Sequence, residues 1–407
     1  MQKRPATALG STMTLQIVAA AIFTAFSVIA PALPESMHLD KEGLGIYGAL
    51  TFLGAMFGSS IAATMISRFG PIRLIQMGML FSCLSLAVLY TEMPVLIFAS
   101  AVCIGLGYGP NAPGGSLLLS AHTPPARRGL IFSIKQSGVP IGGAVIGIVL
   151  PGIEAGWGWQ TALLVVVALG PLGILAVQPW QRRLDSGAAA LMAPRAAGFR
   201  LTDLVPVGVV RNTPGLAPLA FMSFTYAAGQ MVLGTYLVTY LVEQVELTLV
   251  AAGAAFSAFQ ISSFAVRVGA GWLNDRLRRP RQLLASFGVV TAATGLALAA
   301  TDAGSAYAWI VTLSALAGAG AAGWNGVFLA EISRQVPDDR IPAATAASVF
   351  CTYFGLVVGP AAFSALLAGF GYPVAFGALS VFVLLGAGTL MVFGPGSRFA
   401  LNGVSGR

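Results

Sequence analysis

The sequence predicts an all-α membrane protein, with twelve transmembrane helices in two pseudo-symmetric six-helix bundles. Three observations predict this fold class: composition, apolar windows and a weak similarity between the two halves of the chain. Hydrophobic residues make up 57% of the 407 residues and charged residues only 9%, against about 25% charged residues in an ordinary soluble domain. A water-exposed surface needs many more ionisable side chains, so this composition excludes a soluble enzyme.

Apolar windows of about 20 residues, long enough to cross a bilayer as a helix, recur along the chain. The first window follows a short basic N-terminus but is longer than the core of a secretory signal, and a second window follows at once, so we expect it to be retained. We number the windows as spans 1 to 12. They are residues 11–33, 43–66, 74–91, 95–120, 129–152, 159–178, 216–241, 250–273, 283–301, 306–330, 343–367 and 374–394.

The positions of Lys and Arg predict the orientation of these spans. With the N-terminus inside, 19 of the 22 basic residues fall in inner segments, and among the outer loops only Lys41 is basic. This asymmetry is the positive-inside rule, and a wrong number of spans would have scrambled it. We therefore expect a multi-pass protein of the cell inner (cytoplasmic) membrane with both termini cytoplasmic. The net charge of +8 then reports topology and does not indicate a nucleic-acid partner.

The chain divides into two halves of six spans each. Residues 181–214 contain Arg, Asp, Pro and Ala without strong apolar periodicity, which is typical of a cytoplasmic linker. We expect an N-terminal bundle at 1–180 and a C-terminal bundle with a short cytoplasmic tail at 215–407. The turns after spans 2 and 8, residues 67–73 and 275–281, are weakly similar. Internal repeats of this kind are typical of secondary transporters.

Glycine motifs in the spans predict close helix packing. Spans 5 and 11 share Gly-x-x-x-Gly, at Gly138 and Gly142 and at Gly355 and Gly359, and small residues at this spacing let helix backbones approach in lipid. Span 10 contains Gly-x-Gly-x-x-Gly at 318–323. No strand precedes this motif and no acidic residue follows at the required distance, so it indicates helix packing and not a dinucleotide site.

Four motifs together give the chain a resemblance to the major facilitator superfamily along its whole length. They are Gly271-Trp272-Leu273-Asn274-Asp275-Arg276, its degenerate copy at 67–73, Lys135-Gln136-Ser137-Gly138-Val139-Pro140-Ile141-Gly142-Gly143, and Gly323-Trp324-Asn325-Gly326. The resemblance implies alternating access around a central cavity at which spans 5 and 8 meet. The family's first loop usually carries an acidic residue where Ser67 stands, so Asp275 is the intact copy of that motif.

Two cations lie inside the predicted spans. Burial of an ionisable residue in the membrane costs several kcal/mol of free energy, so such a residue indicates a function. Lys135 and Arg267 are each about 10–12 Å from the inner membrane face, at 1.5 Å per helical residue. None of the 14 carboxylates lies near mid-span, and Glu331 is the nearest. The alternatives are a snorkelling side chain or a carboxylate pair. We favour a substrate site for an anion.

The chemistry of the two cations predicts a small carboxylate with one or two negative charges. A guanidinium binds a carboxylate bidentately, and an ammonium adds a compact charge. An arginine in span 8 makes the chain similar to the monocarboxylate transporters and the oxalate-formate exchangers. The exchangers have their second cation in span 11, where this chain has Thr352 and Tyr353, so their substrate does not transfer. Anion exchange and proton symport both stay open.

Other polar residues complete the predicted site. We expect Gln260, one heptad before Arg267 and on the same helix face, together with Asn325 and Tyr353. For each of them, interhelical hydrogen bonding is an equally good interpretation. The expected partners are the anion, the lipid bilayer and, for symport, protons. We expect a monomer, no cofactor and no enzymatic activity.

The sequence also predicts a set of charged residues at the inner membrane face. Asp275, Arg276, Glu331 and Arg334 lie at helix ends and are interpreted as a conformational latch that bridges the bundles when the cavity opens outward. Two other functions stay open as alternatives, a proton-driven exporter of drugs or amphipathic compounds and a carrier of nitrate or cyanate. The first span lacks the membrane-embedded acid usual in such exporters, and span 2 lacks the second arginine of the nitrate carriers.

Overall fold

The computed structural model describes residues 5–29, 33, 41–189 and 204–393, and within these ranges the regular structure is helical without strands. Its α-helices are numbered in chain order. They are α1 (Pro5–Ile29), α2 (Lys41–Phe69), α3 (Pro71–Ala87), α4 (Pro94–Tyr108), α5 (Asn111–His122), α6 (Arg128–Gln136), α7 (Gly138–Ala189), α8 (Val207–Asn212), α9 (Leu216–Glu243), α10 (Leu249–Leu277), α11 (Pro280–Ala299), α12 (Tyr307–Ala322), α13 (Asn325–Gln335) and α14 (Ile341–Phe393).

Twelve crossings follow from these helices, as the sequence predicted. In the described part of the chain, 9 helices are long and apolar enough to span a membrane. Two of them, Pro125–Ala188 with 64 residues and Asp338–Phe393 with 56, reverse at glycines with positive φ, Gly158 at 81° and Gly371 at 77°, so each crosses twice. The twelfth crossing is α10, which at 29 residues is long enough to span a bilayer.

Three of the predicted spans are interrupted near the middle for one or two residues, which keep right-handed helical φ and ψ. Span 4 consists of α4 and α5, span 5 of α6 and the start of α7, and span 10 of α12 and α13. The breaks fall at Gly109-Pro110, Ser137 and Gly323-Trp324. Proline lacks the backbone N–H that a helix interior needs, and glycine has a lower helix propensity than every residue except proline. The carbonyl oxygens of Tyr108, Gln136 and Ala322, the last residues of α4, α6 and α12, accept hydrogen bonds from side chains.

The two bundles repeat one packing plan. Span 1 packs on span 5 and span 2 on span 4, and in the second half span 7 packs on span 11 and span 8 on span 10. The Gly-x-x-x-Gly pairs serve the first of these contacts in each half, because Gly142 faces the carbonyl of Ile17 and Gly355 faces the carbonyl of Phe224. The motif therefore allows close backbone approach in both bundles.

The glycine motif of span 10 is also a packing surface. Gly318 lies against the backbone of Phe259 in span 8, and Gly320 lies against Thr291 in span 9. Glycine is required at these contacts because a Cβ would collide with the neighbouring helix.

We expect Gly355→Ala to destabilise the second bundle by about 1–3 kcal/mol, because the added methyl group overpacks the contact with span 7. The measurement is the thermal unfolding midpoint in detergent, which we expect to fall. Gly369→Ala is the matched control, since Gly369 lies on the same helix with nothing within 4 Å of the position of a Cβ. Equal midpoints for the two variants would contradict the close packing assigned to Gly355.

One end of the bundles carries the basic residues and is called the basic face. Arg68, Arg73, Arg127, Arg276 and Arg334 lie there, at helix ends. Within the first bundle this face is fixed by Asp185, whose carboxylate accepts hydrogen bonds at the N-terminus of α3, from the backbone N–H groups of Ile72 at 2.8 Å and Arg73 at 3.2 Å. The carboxylate satisfies helix donors that have no intrahelical acceptor.

The predicted boundary between the bundles is only partly visible. The helix of span 6 continues to Ala189, and a short helix at Val207–Asn212 precedes span 7. Residues 190–203 lie outside the described residues. The division into 1–180, 181–214 and 215–407 therefore stays a prediction.

Candidate functional site

Arg267 lies at the centre of the molecule and joins the two bundles. Its side chain is buried, with 6% exposed. Its Nε donates to the carbonyl of Ala322 at 3.2 Å, and its Nη1 donates to the carbonyl of Gln136 in the other bundle at 3.0 Å. Both carbonyls end a helix at one of the breaks, where the helix dipole places partial negative charge. This arrangement explains how the guanidinium is buried without a carboxylate.

Lys135 lies beside this contact. It is 3% exposed, and its Nζ donates to the Gln136 Oε1 at 3.0 Å and to the carbonyl of Asn111 at 3.3 Å. The ammonium packs over Gly115, where a Cβ would lie 3.3 Å from Nζ, so the absence of a side chain there makes room for it. Gln136 thus binds both cations, Lys135 through its side chain and Arg267 through its backbone.

The two cations are not neutralised by an acid. No carboxylate of the described residues lies within 4 Å of Lys135 or Arg267. A guanidinium has five N–H donors, and protein carbonyls occupy two of those of Arg267. Three donors are left for a ligand. This arrangement of donors can bind an anion between the bundles.

Tyr108 and Gln16 belong to this site, although the sequence reasoning did not select them. The Gln16 Nε2 donates to the Tyr108 hydroxyl at 2.9 Å, and the Gln16 side chain packs against Gly138, two residues after Gln136. Because the Tyr108 oxygen accepts from Gln16, its own proton is available to a ligand. Tyr108 lies between Gly107 and Gly109 in span 4, and Gln16 lies in the otherwise apolar span 1. A lone buried glutamine was the available signal.

Four aromatic rings form a row that begins at Tyr108. The ring centroids of Tyr108 and Phe23 are 4.6 Å apart, those of Phe23 and Phe52 5.2 Å, and those of Phe52 and Tyr353 6.3 Å. Phe52 belongs to the first bundle and Tyr353 to the second, so the rings meet between the bundles. Three of the four are half-buried, and Tyr353 is 8% exposed. The site thus combines fixed positive charge with aromatic walls.

Asn325 lies next to Arg267, and Gln260 lies apart from it. The Asn325 Nδ2 donates to the Gln230 Oε1 at 3.2 Å and to the carbonyl of Ala322 at 3.4 Å, the same oxygen that Arg267 uses. Gln260 is exposed, about two turns along α10 from Arg267 and away from the basic face, and in the described structure no hydrogen bond joins it to the other site residues. Ligand contact by either residue stays a prediction.

At the basic face, Asp275 joins the bundles. Its Oδ1 and Oδ2 accept from the backbone N–H groups of Gly129 and Leu130, each at 2.8 Å, and Oδ1 also accepts from the Arg334 Nη2 at 2.9 Å. The carboxylate of the second bundle therefore caps α6 of the first, where the helix dipole favours negative charge. We call Asp275, Gly129, Leu130 and Arg334 the clasp.

The other predicted latch residues do not bridge the bundles. Glu331 lies 3.8 Å from Arg334 on the same helix, and the Arg276 guanidinium lies 5.4 Å from the ring centroid of Trp272, one turn earlier on its own helix. The degenerate loop in the first half has no counterpart to the clasp either, because the Ser67 hydroxyl donates to the nearby carbonyl of Thr64.

Arg128 makes a second bridge that the sequence reasoning missed. Its Nη1 donates to the carbonyl of Ser333 at 2.7 Å, and its Nη2 lies 3.5 Å from Asp338. The sequence reasoning counted Arg128 only among the 19 basic residues of the inner segments. Among the described residues, every side-chain hydrogen bond between the bundles lies between Arg267 and the basic face. The basic face is therefore closed.

This chain is similar to known transport proteins in sequence. The family model described as Major Facilitator Superfamily matches residues 12–355 and 219–401. A 4-hydroxybenzoate transporter, PcaK of Pseudomonas aeruginosa, is 26% identical over 292 residues, covering 65% of this chain and 64% of that protein. A gallate transporter of Pseudomonas putida is 25% identical over 287 residues, covering 63% and 62%. The chain thus matches somewhat less than two thirds of the length of these relatives.

Among solved structures, the human organic anion transporter MFSD10 superposes with a TM-score of 0.78. It is 14% identical, and the match covers 96% of this chain and 100% of that one. At this identity the likeness establishes the fold.

Proposed function

The chain belongs to the major facilitator superfamily, and we propose that it carries a small aromatic carboxylate across the membrane by alternating access. It is a multi-pass membrane protein, and we place the basic face in the cytoplasm because of the charge asymmetry of its loops. Two relatives are transporters of 4-hydroxybenzoate and gallate, both hydroxylated aromatic acids. We extend that substrate class to this chain.

The observation that carries the proposal is the ring cluster beside an uncompensated guanidinium. The free N–H donors of Arg267 can bind a carboxylate, and the ammonium of Lys135 adds a positive charge beside them. The rings of Phe23, Phe52 and Tyr353 suit a planar aromatic group, since aromatic pairs gain about 0.5–1.5 kcal/mol beyond their buried area. An aliphatic acid or nitrate uses only the charged part of this site.

Binding at Arg267 also supplies a mechanism. The Nη1 of Arg267 is bonded to the carbonyl of Gln136 across the bundle interface, so a carboxylate bound to the free donors of Arg267 competes with that carbonyl for the guanidinium and weakens a contact that holds the basic face closed. The ligand thereby favours opening, as a ligand must if it shifts the equilibrium between two states. A cavity with two unpaired cations is costly to close, so we expect anion exchange to be faster than return of the empty carrier.

We predict a preference for aromatic over saturated acids. In proteoliposomes preloaded with 4-hydroxybenzoate, external benzoate should exchange faster than cyclohexanecarboxylate, by about fivefold to tenfold at limiting concentration, because the saturated ring forfeits the aromatic contacts. Nitrate and a hexose phosphate complete the panel. Faster exchange of the saturated acid, nitrate or the sugar phosphate would reject the aromatic assignment.

A matched pair of variants tests which aromatic residue causes that preference. Phe52→Leu should lower the ratio of benzoate to cyclohexanecarboxylate exchange, because Phe52 contacts both Phe23 and Tyr353. Phe57→Leu is the control, since Phe57 lies nearer the basic face and pairs with Phe350 at 6.1 Å. An unchanged ratio in Phe52→Leu would place the ring of the substrate elsewhere.

A further inference from the structure

A cavity of about 370 Å³ opens at the basic face, beside the clasp. Its walls come from both bundles, from the start of span 5 and the end of span 8. The lining residues are Arg127, Leu130, Ile131, Trp272, Asp275 and Arg276. A second cavity of about 630 Å³ shares Arg276 with the first and adds Arg279 and Leu277.

The charge of this cavity is positive. Arg127 and Arg276 are exposed, and no carboxylate in the described ranges lies within 4 Å of either guanidinium. Asp275 lines the same cavity, but its oxygens are engaged by two backbone N–H groups and by Arg334. Two guanidinium groups are therefore available to one anion, and Arg276 is held in place over the ring of Trp272.

The remaining walls are apolar. Leu130 and Ile131 are half-buried, Trp272 is 51% exposed and Leu277 is 52% exposed. An exposed tryptophan at the end of a transmembrane helix is typical of the membrane–water interface. Free phosphate would leave these side chains uncovered, whereas a phospholipid brings a phosphate to the arginines and an acyl chain to the tryptophan and leucines.

We propose that this cavity binds an anionic phospholipid, with its phosphate between Arg127 and Arg276 and its acyl chain along Trp272 and Leu277. Basic cavities between transmembrane helices recognise anionic headgroups in this way. Because the walls belong to different bundles, opening the basic face separates the two arginines. The lipid therefore binds the state in which this face is closed and stabilises it. This inference does not depend on the identity of the transported anion.

The test is lipid binding by native mass spectrometry of the purified carrier, titrated with phosphatidylglycerol or phosphatidylcholine. We expect wild type to bind phosphatidylglycerol more tightly, and Arg127→Gln with Arg276→Gln to lose about tenfold or more of that affinity. The double variant Arg68→Gln with Arg73→Gln removes equal charge from the same face outside the cavity and should bind as wild type does. The double variant Arg127→Lys with Arg276→Lys should retain most of the binding.

Three results would overturn the proposal. One is undiminished phosphatidylglycerol binding by the double glutamine variant. Another is an equal loss in the control at Arg68 and Arg73, which would assign the effect to the general charge of the face. The third concerns the source of the phosphate: inorganic phosphate that displaces phosphatidylglycerol at similar concentration would make the cavity a site for the free ion.

Discussion

Replacing Arg267 by glutamine should abolish uptake of the aromatic acid into proteoliposomes. Glutamine retains hydrogen-bonding capacity but removes the charge that binds the carboxylate, and loss of one partner of a buried charged pair costs about 2–5 kcal/mol. A loss of about 3 kcal/mol corresponds to a roughly hundredfold weaker affinity. The measurements are uptake of radiolabelled 4-hydroxybenzoate and its affinity by calorimetry. Undiminished uptake would reject Arg267 as the anion site.

Two further variants separate binding from folding. Arg267→Lys retains the charge and loses the fork geometry, so we expect it to bind between wild type and Arg267→Gln. Arg278→Gln removes a charge at the exposed end of the same helix and should transport as wild type does. Arg267 also bonds two helix ends, so the unfolding midpoint of each variant is measured without ligand. A variant that is folded but fails to bind assigns the loss to the site.

Asp275→Asn should open the basic face. The asparagine has the same size but no charge, and hydrogen bonds to charged groups contribute about 1.5–3 kcal/mol each. Loss of the clasp should therefore shift the population toward the open state by about tenfold or more and lower transport, while Arg267 still binds the anion. The measurement is the maleimide labelling rate of Ser133→Cys, in a background without native cysteines.

Ser133 is suited to this readout because it packs against Gly271 and Gly326 of the other bundle, and so it is buried while the basic face is closed. Asp339→Asn is the control, since Asp339 is exposed on the same face and outside the clasp. We expect faster labelling in Asp275→Asn and no change in the control. Equal labelling rates in both variants would mean that the clasp does not hold the closed state.

The charged part of the site was predictable from the sequence because a cation inside a span carries a large cost. Lys135 and Arg267 were selected by their predicted depth in the membrane, and no carboxylate lies near mid-span in the sequence to neutralise them. The aromatic part was not predictable. The chain has 24 phenylalanines, and a ring that faces lipid has the same helical spacing as one that faces the space between the bundles.

The residues of the predicted latch show the same limit of sequence-based prediction at the basic face. Asp275 and Arg334 were selected as charges at helix ends, and the structure joins them. Arg276 shares their sequence context but lies over Trp272, and Arg128 was interpreted as a topogenic charge although it binds the carbonyl of Ser333. Sequence position shows that a charge lies at this face, but not which partner it meets across the interface.

The sequence by itself determined the membrane class, the twelve crossings and the two buried cations. These follow from the free energy of transferring each segment to lipid, which depends on local composition. The tertiary structure decided the broken helices whose carbonyls bind Arg267, the pairing of Tyr108 with Gln16, the ring cluster and the partners of Asp275. Each of these joins residues far apart in the chain, so it depends on how the two bundles pack and not on any local pattern.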